Sequence, residues 1–333
     1  MAAIISARGV EKVFRQAKRY PGFSGAIRSI FSRQFTEVRA VNGISFDIKP
    51  GEAVGYLGPN GAGKSTMIKM MTGILVPTAG AVEVLGREPH SNRITNAAEI
   101  GVVFGQRSQL WWDLPVRDSF DLNRHIYDIP ARRFADNLAR LTSMLDMATY
   151  VDRPVRQLSL GQRMRAEIAM ALLHDPKILF LDEPTIGLDV VAKDVVRKFL
   201  AEVNRDRGTT IILTTHDLID IEEICPRLIM VDDGKLLFDG ELTQLRTALG
   251  SHRRLKLEFG SDPGPIHLAS ATLTSDAGAA KHFLLEREDV SILHVLTELG
   301  SGYDLKDVKL EEPDIEEVIR TFYQSKAQVE AAP

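Results

Sequence analysis

Gly58-Pro59-Asn60-Gly61-Ala62-Gly63-Lys64-Ser65-Thr66 follows the apolar run Ala53–Leu57 and precedes Met67–Leu75. A glycine-rich loop therefore stands between a predicted strand and a predicted helix. A phosphate chain needs several backbone N–H groups turned inward, and glycine permits the tight loop that arranges them. The helix start behind the loop adds partial positive charge. Lys64 is then placed to reach the β- and γ-phosphates, and the Ser65 hydroxyl to ligate Mg²⁺. A chance glycine-rich turn rarely carries this full spacing with the right flank on each side.

Working outward, strand-like and helix-like segments alternate from Ile4 to about Asp239, the pattern of a mostly parallel sheet covered by helices. Strands are expected at Ala53–Leu57, Gly101–Phe104, Ile178–Leu181, Thr210–Thr214 and Arg227–Val231. Gly234 opens a turn into Leu236–Asp239, which predicts an antiparallel hairpin. Between Gln106 and Leu158 helical spacing takes over, as in Phe134, Leu138, Leu141 and Leu145. The second chemical signal lies downstream. Ile178-Leu179-Phe180-Leu181-Asp182-Glu183 is an apolar strand ending in two carboxylates, and parallel strands deliver functional side chains at their carboxyl ends. Asp182 is expected to hold Mg²⁺, directly or through water, and Glu183 to polarise an attacking water as general base.

The bulk properties narrow the class. The 333 residues exceed one typical domain, which predicts a large α/β domain plus a smaller one. A hydrophobic fraction of 44%, a charged fraction of 26% and a net charge of −4 are ordinary for a globular protein and give no global basic field for nucleic acid or anionic lipid. The lone Cys225 cannot form an internal disulfide, which fits a reducing cytosol. No stretch approaches the ~20 apolar residues that span a bilayer, and the start MAAIISARGV does not read as a signal peptide.

Two segments fall outside the alternation. Arg15 to Glu37 is long for a connection between early strands, and Ser24–Phe35 within it sets Ile27, Ile30, Phe31 and Phe35 on one helical face with Arg28 and Arg33 elsewhere. That amphipathic insert, about 15–37, is expected either to lie on a membrane or partner or to pack on its own domain. From about Gly250 a small α+β domain is expected. Its strands are predicted near Arg254–Phe259, Ile266–Leu273, His282–Glu286 and Asp304–Leu310, and its helices at Val290–Leu299 and Pro313–Ser325.

Taken together these residues resemble an ABC (ATP-binding cassette) nucleotide-binding domain over about Ile4 to Leu245. Leu158-Ser159-Leu160-Gly161-Gln162 is similar to the family signature LSGGQ. Gln106 stands where the family has its Q-loop, Thr185-Ile186-Gly187-Leu188-Asp189 resembles the D-loop, and His216 in Thr214-Thr215-His216-Asp217 resembles the switch histidine. Phe14 falls where the family stacks an aromatic on adenine. The resemblance implies a P-loop NTPase core with an antiparallel β subdomain and a helical subdomain at about 106–165, together residues 1–249, followed by the accessory domain 250–333. It implies ATP and Mg²⁺ bound by the whole run Gly58 to Thr66, with Ser65, Asp182 and Gln106 at the metal. Ser159, Gly161, Gln162 and Asp189 would act across a dimer of two such subunits, and Glu183, His216 and Gln106 in hydrolysis. The implied partners are separate membrane permease subunits and a second nucleotide-binding subunit, with no nucleic acid, at the cytoplasmic face of the membrane.

One departure stands out. Leu160 replaces the first glycine of the signature, adding a side chain and excluding easy positive φ there. Leu158–Ala166 joined to Leu173-His174-Asp175-Pro176, and the tail Pro313-Asp314-Ile315-Glu316-Glu317-Val318, are similar to the exporter branch of the family. An importer ATPase would share every ATP-site residue. A cassette acting on DNA or ribosomes would carry coiled-coil or zinc insertions or a second cassette, and this sequence has one cassette, no Cys cluster and no heptad run.

Overall fold

Strands covered on both faces read as continuous apolar runs, and Ala53–Leu57 is buried from end to end in the interior of a six-stranded sheet. The structure, a computed structural model, describes residues 2–17, 35–105, 107–248, 254–285, 291–300, 302–311, 318–320 and 322–323. The chain forms two compact units, Met1–Glu241 and Leu242–Pro333. The sequence reading kept residues up to 249 with the first. Among the described residues no helix is long and apolar enough to cross a membrane.

In chain order the first unit runs β1 (Ile5–Ala17), β2 (Phe35–Ile48), β3 (Ala53–Leu57), α1 (Lys64–Met71), β4 (Ala79–Val84), α2 (Arg93–Glu99), β5 (Ile100–Phe104), α3 (Val116–Ile126) and α4 (Ala131–Met144). It continues with α5 (Leu160–Leu172), β6 (Ile178–Asp182), α6 (Val190–Arg207), β7 (Thr210–Thr214), α7 (Leu218–Ile224), β8 (Arg227–Asp232) and β9 (Lys235–Glu241). One sheet has the order β5-β6-β7-β3-β8-β9, parallel through β8 and closed by an antiparallel β9. Asp233 and Gly234, both at positive φ, form the two-residue turn of that last hairpin. A second, antiparallel sheet has the order β2-β1-β4.

The two sheets share one core around α1. Met67, Ile68, Met70 and Met71 of that helix pack with Ile44, Phe46 and Ile48 of β2 and with Tyr56, Phe180 and Ile212 of the parallel sheet. At about 1.5–3 kcal/mol per fully buried large apolar side chain, this core fixes the helix that follows the glycine-rich loop. The stripe Phe134, Leu138, Leu141 and Leu145 is buried as its spacing predicts, in the helical stretch between β5 and β6.

The expected insert at 15–37 is corrected at both ends. Arg15 pairs with Glu37, Gln16 with Thr36 and Ala17 with Phe35, so β1 and β2 extend as a long hairpin where a loop and a helix were read. Arg15 Nε also meets Glu37 Oε1 at 3.1 Å. Phe35 is an exposed strand residue, not part of a helical face. Residues 18–34, with Ile27, Arg28, Ile30, Phe31 and Arg33, lie outside the described residues.

In the second unit α8 (Leu242–Ala248) precedes β10 (Arg254–Phe259), β11 (Ala271–Ala277), β12 (Ala280–Leu285), α9 (Ile292–Leu299) and β13 (Leu305–Glu311). The antiparallel sheet order is β11-β12-β10-β13. Leu255, Leu257, Phe283, Leu285, Val295 and Leu299 form its core. The strand read at Ile266–Leu273 is displaced to Ala271–Ala277. Its expected start is drawn elsewhere: the Ala269 N–H and Ser270 Oγ both donate to the Glu298 carboxylate of α9, the latter at 2.6 Å. Of the helix read at Pro313–Ser325, only Val318–Arg320 and Phe322–Tyr323 are described, and these are helical.

Candidate nucleotide site

The carboxyl ends of β3, β5, β6 and β7 bring the chemistry to one edge of the sheet. After β3 the loop Gly58–Gly63 turns back into α1, and two of its glycines are required by space. A Cβ on Gly63 would stand 2.0 Å from the Ala40 carbonyl oxygen, and one on Gly58 would stand 2.3 Å from the Val231 carbonyl oxygen. Gly63 also holds φ 96° at the N-cap of α1, so no side chain caps the first turn, which carries no acidic residue. The helix start thus keeps uncapped N–H groups and positive potential, as an oxyanion needs. Lys64 is 7% exposed and its ammonium donates to the carbonyls of Gly58 at 2.6 Å and Pro59 at 3.1 Å. Burial lowers its pKa, while the charges of Glu183 and Asp182 oppose that shift.

Beside the loop is a cleft of ≈ 300 Å³ lined by Ser65, Gly105, Arg107, Asp182, Glu183 and Ile186 among others. Asp182 Oδ1 accepts from Thr214 Oγ1 at 2.6 Å and from Ser65 Oγ at 3.4 Å. Hydroxyl and carboxylate oxygens converging this way suit a hard cation such as Mg²⁺. Among the described residues no group of three or more His, Cys, Asp and Glu side chains could hold a metal ion. Glu183 follows at φ 56°, a left-handed backbone that costs roughly 1–2 kcal/mol for a residue with a Cβ. It is pinned there by its N–H donating to Thr214 O at 2.9 Å and to Thr214 Oγ1 at 3.2 Å. Its Oε1 lies 2.8 Å from His216 Nε2.

A buried ion cluster, not read from the sequence, joins Thr185 to Thr215 and Asp217, the neighbours of His216. The Asp220 carboxylate is fully buried. One of its oxygens accepts from Thr185 Oγ1 and from Thr215 Oγ1, and the other from Arg197 Nε of α6. Arg197 and Lys193 also reach Asp217, at 3.0 and 2.6 Å. Although burial works against it, these cations hold the Asp217 carboxyl below the usual range. The polar pair Thr214-Thr215 after the apolar Ile211–Leu213 was the one sequence signal that could have located this cluster.

The remaining candidates occupy three other places. Ser159 caps α5 in a reciprocal box, accepting from the Gln162 N–H at 3.2 Å while its own N–H donates to Gln162 Oε1 at 3.0 Å. Leu160 is the first helical residue and is not among the residues at positive φ, so the predicted exclusion of φ > 0 has no consequence there. Its Cδ2 lies 2.9 Å from where a Cβ on Gly187 would be, so the leucine packs over that glycine. Asp189 caps α6, accepting from the Ala192 N–H at 2.8 Å. Phe14 is half-buried on β1 opposite Val38, under the Lys12 ammonium, with Val38 two residues from the Ala40 that abuts Gly63. Gln106 lies outside the described residues; Gly105 and Arg107 on either side of it line the cleft. Asn60, Gly61, Ala62 and Thr66 complete the loop and first turn, with Ala62 buried in the core.

A parallel sheet with a phosphate loop, a strand-end Asp-Glu pair and an adjacent histidine defines an ATP-hydrolysing cassette. A family model described as ABC transporter matches residues 41–186. A Nod factor export ATP-binding protein I from Burkholderia pseudomallei is 35% identical over 71% of this chain and 76% of its own length. The daunorubicin resistance ATP-binding protein DrrA3 of Streptomyces coeruleorubidus is 29% identical over 86% of this chain and 92% of its own. Among solved structures, the dimeric bacterial ABC transporter cassette MJ0796 matches with a TM-score of 0.59 at 25% identity, over 71% of this chain and 98% of that one. The chain belongs to the family of ABC transporter ATP-binding proteins and is an ATPase.

Proposed function

We propose that two copies of this subunit close head to tail on two ATP molecules and power export through separate permease subunits at the cytoplasmic face of the membrane. The observation that carries this reading is the convergence of Ser65, Asp182, Glu183 and His216 at the phosphate loop. Around it, Ile186, Val190, Val191 and Leu160 expose apolar side chains that a second copy would cover. In this reading Gly58 to Thr66 cradle the phosphates and Lys64 neutralises them. Phe14 stacks on adenine. Ser65, Asp182 and Gln106 hold Mg²⁺, which when bound draws charge from the phosphate oxygens. Glu183 takes the proton of the attacking water, and His216 orients both Glu183 and the terminal phosphate. Ser159, Gly161, Gln162 and Asp189 complete the partner copy's site, the α5 N-terminus adding its dipole. Residues 1–249 act as the motor, with the helical subdomain 106–165 facing the permease through the exposed Trp111 and Trp112. Residues 250–333 form an accessory domain.

Glu183→Gln tests the dimer and the base together. In sedimentation velocity it should form a dimer that depends on Mg²⁺ and ATP, while turnover drops by ~10²–10⁴. Parental turnover would remove Glu183 as the base. Direction is supported by the two relatives named above, a Nod factor export protein and a daunorubicin resistance protein. It is tested by uptake of an amphiphilic dye in cells making the chain with its permease: lower accumulation than in the Glu183→Gln cells supports export, and higher accumulation import.

A further inference from the structure

Glu167 lies about two turns along α5 from Ser159 and is 4% exposed. A buried carboxylate is costly unless its oxygens are hydrogen-bonded, and all the donors here come from one short segment. Oε2 accepts from the Gln109 N–H at 3.0 Å, and Oε1 accepts from the Ser108 hydroxyl. That hydroxyl oxygen in turn takes the Leu110 N–H at 3.2 Å. The same segment is fastened at two further points. The Trp111 N–H donates to the fully buried Ser119 of α3 at 3.1 Å, and Gln109 Nε2 donates to the Val102 carbonyl of β5. It begins two residues past Gln106 and ends at the exposed Trp111 and Trp112. Burial raises the Glu167 pKa above the ordinary value, against the hydrogen bonds from Ser108 and Gln109 and the charge of Arg163 one turn earlier on α5.

We infer that Glu167 is a positioning residue that couples the 108–110 segment to the helix bearing Ser159 and Gly161, so that the strand end at Phe104–Gly105 and the α5 N-terminus move as one piece. The Lys64 ammonium donates to the Gly58 and Pro59 carbonyls within its own loop, so binding of a nucleotide to one chain does not need the clasp. Closure of two chains on ATP does, because it requires the α5 N-terminus at a fixed distance and angle from the facing copy's phosphates. The inference rests on the sandwich-dimer reading above.

The test compares Glu183→Gln with Glu183→Gln/Glu167→Ala in sedimentation velocity across a Mg²⁺-ATP series, alongside the affinity for a fluorescent ATP analogue at protein concentrations that keep the chain monomeric. The added substitution should raise the ATP concentration at half-dimerisation at least tenfold, with monomer affinity unchanged within about twofold. Glu167→Gln, which keeps one acceptor, should recover part of that shift. Ser108→Ala in the Glu183→Gln background removes one donor only and keeps the test open if Glu167→Ala does not fold; it should shift the midpoint two- to threefold. An unchanged midpoint in a folded variant, or a loss of monomer affinity equal to the loss of dimerisation, overturns the inference. A Glu183→Gln chain that never dimerises overturns the dimer reading itself, and the inference with it.

Discussion

Glu183 Oε1 and His216 Nε2 lie 2.8 Å apart, although the two residues follow the ends of different strands, β6 and β7. The register Asp182↔Thr214 between those strands sets that distance, and the Thr214 contacts with Asp182 and with the Glu183 N–H hold it. His216→Ala therefore frees the Glu183 carboxylate without disturbing its backbone. A hydrogen bond to a charged group contributes about 1.5–3 kcal/mol. Turnover of ATP should drop roughly ten- to a hundredfold, with ATP affinity changed far less. Equal losses in kcat and in affinity would place His216 in ground-state binding.

The phosphate loop makes a harder geometric demand. Gly63→Ala sets a Cβ within 2.0 Å of the Ala40 carbonyl oxygen, and backbone cannot move aside as a flexible side chain can. The φ of 96° adds strain. Gly63→Ala should cost more than 2 kcal/mol of stability in urea unfolding, beyond the ordinary range for a surface change, and abolish nucleotide binding. Gly61→Ala meets open space and is strained only by its φ of 89°. It should cost about 1 kcal/mol. Equal costs for the two would contradict the packing described.

What could be read in advance follows from the range of the forces involved. Ala53–Leu57, Thr210–Thr214 and Arg254–Phe259 fall where they were expected, because a buried run in the first two and strict alternation in the third record burial locally. The tight loop between β3 and α1 was legible for the same reason: its glycines and its flanking strand and helix are contiguous in the sequence. The far ends of β1 and β2 were not, since exposed residues such as Thr36 and Glu37 leave no alternation to detect. Asp220 reads as a surface residue of a short helix until Arg197, 23 positions away, arrives in three dimensions. Glu298 took the backbone N–H of Ala269 in the same way and moved a strand start.

Leu160 gives a third prediction, because its side chain packs over Gly187 while remaining 39% exposed. Part of that apolar surface is free to be covered by the second copy. Leu160→Gly in the Glu183→Gln background removes about 1–1.5 kcal/mol of burial. The ATP concentration for half-dimerisation should rise three- to tenfold. A midpoint that stays put or moves lower would show that the leucine obstructs closure or plays no part in it.

His174 is 8% exposed, and its Nε2 sits 2.9 Å from the Ile100 carbonyl oxygen. Its ring stacks on Tyr127 at 4.1 Å, and Nδ1 is buried without a hydrogen-bond partner. An Nε2–H donor with a bare Nδ1 is the neutral imidazole. Burial pushes its pKa down, against the Ile100 contact and the charge of Asp175, which favour the proton. The unfolded chain takes up a proton at this residue near pH 6.5 and the folded one only at lower pH, so in that window the unfolded state binds more protons. Stability therefore falls as the solution is acidified from about pH 6.5. Asp175 and Glu99, whose pKa values are lowered, lose their contribution only as the pH falls through the ordinary carboxylate range and below it. Glu167, raised, acts in the opposite sense. His174→Phe keeps the stack on Tyr127 and gives up the Ile100 hydrogen bond, at about 1 kcal/mol near pH 8. Between pH 6.5 and 5.5 its unfolding free energy should fall less steeply than the parent's, by up to ~1.4 kcal/mol per pH unit for one proton. Parallel pH profiles for the two proteins would mean that the imidazole takes up its proton alike in the folded and unfolded chains.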